Sequence, residues 1–195
     1  DTLSGFIKWS SENYPANRYD LILWDHGGGS ISGYGYDEAV RSGSMTLDKI
    51  SKALKNGGVE LDFIGFDACL MATLETAIAC EPYADYMIAS EETEPGIGWY
   101  YTDWVSALAE DPSMETVKIG KLIVDGFVDT CASKVPGQQT TLSVTDLAEL
   151  AGTVPEALSA FAGNMNEMVR GDDYQTVAGA RKNAKEFAAS SAIDQ

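Results

Sequence analysis

The sequence predicts an α/β domain built on a mostly parallel sheet, and three observations carry that prediction. Two short apolar runs, Tyr19 to Trp24 and Leu61 to Phe66, have the length of buried strands. Each gives way to a turn and then to a stretch of helical periodicity, which is how consecutive parallel strands are connected. A third run, Tyr86 to Ser90, extends the series.

Taken in order, Leu3, Phe6 and Ile7 fall at helical spacing and Tyr14-Pro15 interrupts them, so residues 2–13 read as an amphipathic helix. The first strand stops at Asp25-His26-Gly27-Gly28-Gly29, and the glycine-rich stretch through Gly43 reads as flexible loop. Thr46 is placed to cap a helix whose face is Leu47, Ile50 and Leu54, and Asn56-Gly57-Gly58 ends it. After the second strand a helix is expected from about Cys69 or Leu70. The segment EETEPGIGW forms a loop, and residues 101–109 and 114–132 read as helices. A fourth strand is expected at Thr140 to Val144, followed by a helix capped by Thr145 or Asp146. A last helix is expected over residues 174–189.

The chain of 195 residues suits one domain with a substantial core, and an apolar fraction of 45% argues against disorder. Thirteen Lys and Arg against thirty Asp and Glu give a net charge of −17, which disfavours nucleic acid and anionic membranes as partners. From Asn56 to Val117 there are thirteen carboxylates and no Lys or Arg, a field that favours a cationic partner or serves only solubility. No run of 18 apolar residues is present to span a membrane. Cys69, Cys80 and Cys131 cannot all pair and lack zinc-site spacing, which disfavours a disulfide scaffold.

His26 follows the first strand and Cys69 follows the second after Asp67 and Ala68. If those strands are neighbours, both side chains emerge at the sheet edge where ligands of parallel α/β domains gather. Imidazole can then serve a thiol as base and protonate a leaving group. The plain readings are a solvated His beside a tight turn and a cysteine buried as a small hydrophobe. A helix beginning after Cys69 would lower the thiol pKa. The amides of Gly27 and Cys69 could together receive an oxyanion, or the three glycines could make only a sharp turn. Asp67 could read a basic side chain or cap a helix locally. Trp99 could line a pocket or sit in the core. Cys80 and Cys131, inside expected helices, read as packing.

The pair WDHGGG and DACLM resembles the clostripain family of cysteine peptidases, relatives of caspases, legumains and gingipains. The resemblance implies a three-layer α/β/α caspase-like fold and makes His26 and Cys69 the catalytic dyad. It makes Asp67 the base of a pocket selecting Arg or Lys before the scissile bond, with Ser90, Glu91 and Trp99 in the pocket-forming segment SEETEPGIGWYYTDW. It implies an endopeptidase acting through an acyl-enzyme on basic peptides, secreted or held at a bacterial cell envelope. Relatives are often zymogens, and Arg41 in AVRSG is the best local site for self-cleavage. The family domain has one or two strands before the histidine strand, so residues 1–195 are expected to be one peptidase domain completed by an upstream segment. No metal is required for the chemistry, and the resemblance leaves calcium activation open. The competing class is a noncatalytic peptide-binding or structural module of the same fold.

Overall fold

A computed structural model describes residues 2–40 and 43–188. Arg41 lies outside the described residues.

Helix α1, Thr2–Asn13, leads into strand β1, Asp20–Trp24. Part of the expected glycine loop is instead a single turn of helix, α2, Gly29–Ser32. Helix α3, Leu47–Gly57, starts at Thr46 as expected and ends on Gly58 in the left-handed conformation. Thr46 does not cap through its side chain, because its hydroxyl goes to the Asp48 carboxylate. Strand β2, Leu61–Asp67, runs one residue beyond the apolar run.

The helix expected at Cys69 begins later. Helix α4 is Leu74–Cys80, and Thr73 caps it by accepting the Thr76 N–H. Strand β3 is Ala84–Ala89, followed by α5, Tyr101–Glu110, and α6, Thr116–Lys134. Strand β4, Ser143–Asp146, is shifted from the expected run. The Asp146 carboxylate caps α7, Leu147–Arg170, and α8 is Tyr174–Lys182, ending short of residue 189.

The strands form one sheet in the order β1-β2-β3-β4, the first three parallel and β4 antiparallel on β3. Helices cover both faces, the three-layer α/β/α arrangement of a caspase-like fold. On one face Leu21, Leu23, Ile64, Phe66 and Met87 pack against Ile7 of α1, Ile50 and Leu54 of α3, Ala77 of α4 and Leu147 of α7. On the other, Phe63 and Ile88 meet Trp104 of α5 and Ile119, Ile123 and Phe127 of α6. Phe63, Ile64 and Phe66 are wholly buried, so β2 is the centre of the core. Burial of each such side chain is worth roughly 1.5–3 kcal/mol. The register pairs Trp24 with Asp67, which brings the residues after both strands to one sheet edge.

Candidate active site

The carboxyl ends of β1 and β2 open into a cavity of about 380 Å³ lined by Trp24, His26, Asp67, Cys69, Glu94 and Pro95 among others. His26 and Cys69, 43 positions apart in the sequence, therefore face the same space. The close approach of the two turns requires Gly27. A Cβ there would stand 2.1 Å from the Cys69 carbonyl oxygen and 3.0 Å from Met71 Cγ. Gly27→Ala is expected to push the Cys69 turn outward at a cost of about 1–3 kcal/mol. Thermal unfolding together with the rate of Cys69 alkylation checks this; a Tm and a rate equal to wild type would contradict the contact.

The Cys69 turn is held by backbone. Leu70, wholly buried, takes a left-handed φ of 66°, which costs a non-glycine residue about 1–2 kcal/mol. The Leu70 N–H donates to Glu92 O at 3.2 Å, and the Ala72 N–H donates to Ser90 O at 2.9 Å. Both bonds tie the turn to the segment after β3.

Because α4 starts at Leu74 with Thr73 as its cap, Cys69 does not stand at the N-terminus of that helix, and the expected lowering of its pKa does not occur. Burial pushes the Cys69 thiol up. The Glu94 N–H, 3.2 Å from Sγ, opposes that, while the carboxyls of Glu94 and Glu92 add to it. Among the described residues the exposed His26 ring makes no hydrogen bond to the thiol, whose contacts are both with the Glu94 backbone. The resting pair is thus a neutral thiol with imidazole nearby. Free of substrate, Cys69 should be alkylated slowly at pH 7, with the rate climbing about tenfold per pH unit through pH 9. A plateau below pH 8 would instead mean a preformed thiolate.

Asp25 does not orient the imidazole. Its Oδ1 accepts the His26 backbone N–H at 2.5 Å and the Tyr36 N–H at 3.4 Å.

Asp67 is buried and caps no helix. Its oxygens accept the Trp99 N–H at 3.1 and 3.3 Å, and Oδ2 accepts the Tyr101 hydroxyl at 2.8 Å. Gly98, at φ +64°, brings bare backbone to the carboxylate, where a Cβ would lie 3.2 Å from both oxygens. Burial first, then the Asp67 charge, pushes the Tyr101 hydroxyl up, so it stays a donor.

Glu94 lines the cavity, whereas Glu91, the expected pocket residue of this loop, does not. Burial pushes the Glu94 carboxyl up to about 9, and the Asp67 charge and hydrogen bonding with Asp67 add to this. The Trp99 indole N–H, 3.4 Å from Oε1, opposes the shift. Trp24, 72% exposed, forms a rim that the sequence marked only as a strand end.

The other pocket candidates stand behind this wall. Ser90 is wholly buried, donates to Glu92 O at 2.8 Å and shares a hydrogen bond with Thr141 at 3.0 Å. Thr141 Oγ1 also accepts the N–H groups of Glu91 and Glu92. The Glu91 carboxylate accepts from the Ser143 hydroxyl at 3.2 Å. Trp99 is buried in the core beside α5 and α6. Cys80 and Cys131 are free and buried, as packing requires.

The model of the clostripain family matches residues 1–192. Clostripain of Hathewaya histolytica is 33% identical over 118 residues, which cover 52% of this chain and 22% of that protein. A secreted C11 cysteine protease of Bacteroides thetaiotaomicron, solved with an irreversible peptide inhibitor, shares the fold with a TM-score of 0.66 at 26% identity. That likeness covers 78% of this chain and 46% of the other. An inactive zymogen C11 protease of Parabacteroides distasonis gives a TM-score of 0.60 at 28% identity, over 77% and 40% of the two chains. The chain spans less than half the length of these relatives. Matched along nearly its whole length, it belongs to the clostripain family.

Proposed function

We propose that this protein is a cysteine endopeptidase that cleaves after Arg or Lys, with His26 and Cys69 as its dyad. The observation that carries the reading is one cavity lined by a histidine, a cysteine and three carboxyls, of which Asp67 is buried, Glu94 half-buried and Asp25 exposed, with no Lys or Arg among its lining residues. A long cationic side chain satisfies Asp67 and Glu94 while its carbonyl carbon stays at the mouth beside the sulfur. Ser90, Glu91 and Trp99 support that pocket by fixing the loop and the floor on which the carboxyls stand.

In the mechanism, His26 takes the proton of the neutral thiol as Sγ attacks the carbonyl carbon. The Gly27 and Cys69 amides receive the developing oxyanion. The bonds beside Gly27 use the N–H groups of Gly28 and Gly35, which donate to Gly33 O and His26 O. Among the described residues the Gly27 N–H donates to no backbone carbonyl, which leaves it for this work. His26 then protonates the departing amine and activates water to release the acyl group. Among the described residues no cluster of three or more His, Cys, Asp or Glu could hold a metal ion.

The full protein is placed outside the cell or at the envelope of a bacterium, as the secreted relative is. Self-cleavage at Arg41 belongs to the same reading. Fluorogenic peptide amides ending in Arg, Lys, Ala or Glu test the proposal. Turnover confined to the first two is expected; saturable binding of basic peptides without turnover would favour the noncatalytic module.

A further inference from the structure

Resting on that reading of the cavity, the geometry points to Glu94 as a proton-linked specificity residue. A cationic side chain entering beside Asp67 expels the proton that the two carboxyls share. The site thus exchanges one H⁺ for one guanidinium or ammonium group.

Glu94 Oε2 is buried and no donor among the described residues faces it, while Oε1 has only the Trp99 indole N–H. Asp67 lines the same cavity, and two carboxyls set against each other in one partly buried pocket are both accommodated most cheaply when one keeps a proton. Asp67 already accepts from the Trp99 N–H and the Tyr101 hydroxyl, so Asp67 is the anion and Glu94 holds the proton. The upward shift of the Glu94 carboxyl to about 9 agrees.

The titratable groups facing Glu94 are Asp67 at the end of β2, Tyr101 of α5, Cys69 of the turn and Cys131 of α6. Glu92, on the same loop, acts with it on Cys69, and Tyr34 shares the field of Asp67. None of these groups is cationic, and His26 is the cavity's one basic lining residue. A positive charge against Glu94 must therefore come from the ligand.

Guanidinium and ammonium groups offer only donors, so a protonated Glu94 would meet them donor to donor. Ionisation turns that clash into a charge-assisted pair. The balance is Glu94–COOH plus R–NH₃⁺ giving Glu94–COO⁻ paired with R–NH₃⁺, and H⁺ to solvent. Affinity for the cation therefore rises with pH by up to about tenfold per unit and levels off once free Glu94 is itself ionised. The same proton acts on folding with the opposite sign. Native Glu94 keeps it above the ordinary carboxyl value of 4.5 and up to about 9, where the unfolded chain has lost it, so this group's contribution to stability falls across that range.

The test is titration calorimetry of the full protein carrying Cys69→Ala with agmatine at pH 7.5, in phosphate and in Tris. The two buffers differ in ionisation enthalpy and so count protons. Release of about half to one proton per agmatine is expected. In the double variant with Glu94→Gln, binding should release none and Kd should be constant from pH 6.5 to 8.5. Binding without release, or release that persists with Glu94→Gln, overturns the inference while sparing the basic pocket. No binding of agmatine overturns both. If the double variant does not fold, the Cys69→Ala protein decides alone: a Kd independent of pH from 6.5 to 8.5 contradicts the exchange.

Discussion

Cys69→Ala leaves a folded protein whose cleavage of Arg and Lys peptides falls by about four to six orders of magnitude. The size of the loss follows from what no other side chain can supply. Among the described residues Cys80 and Cys131 are buried in the core, so neither sulfur can reach a substrate in the cavity. Stability should change little, because Sγ is only partly buried and its two contacts are with the Glu94 backbone. Circular dichroism and thermal unfolding beside a fluorogenic assay separate the effects. Substantial residual turnover in a well-folded variant would falsify the nucleophile.

Asp67→Asn is expected to lower kcat/KM for basic substrates by about 10²–10³-fold, the scale on which losing one partner of a buried charge pair acts. An amide keeps the size of the side chain, and its oxygen in the Oδ2 position can still accept the Trp99 N–H and the Tyr101 hydroxyl, but the negative charge is gone and an N–H₂ donor replaces the second oxygen. Removing the Asp67 charge takes away one of the causes that hold the Glu94 carboxyl up while burial, the largest, remains, so an arriving cation ionises Glu94 more readily than in wild type. Some preference for Arg and Lys should therefore survive in Asp67→Asn and disappear in Asp67→Asn with Glu94→Gln. Equal kcat/KM values for wild type and Asp67→Asn would remove Asp67 from the pocket.

The strand ends were legible because β1 and β2 are apolar runs of the right length, each closed by a change in composition. That pattern brings residues 26 and 69 to one edge on condition that the strands are neighbours, and the parallel pairing of Trp24 with Asp67 meets the condition. The start of α4 was not legible. Leu70 occupies a left-handed backbone conformation that local sequence does not announce, and the cap falls on Thr73 instead of at Cys69. The difference matters chemically, since it takes the helix dipole away from the thiol and leaves burial to set its pKa.

The acidic loop was harder still. Glu91, Glu92 and Glu94 look alike in sequence, yet Glu91 turns to Ser143, Glu92 accepts the Ala188 N–H and Glu94 faces the cavity. Their division of labour depends on how Thr141 and Ser90 fix the loop, a contact about 50 residues distant along the chain. Trp99 could be read either way, and its burial beneath the Asp67 site decides for the core.

The most direct test of the account is mass-spectrometric mapping of an acylating peptide probe that carries Arg next to its reactive carbonyl. One adduct on Cys69 is predicted, absent from Cys69→Ala, weakened in Asp67→Asn and outcompeted by agmatine. Labelling that persists in Cys69→Ala, or an intact folded protein that takes up no probe, would contradict it.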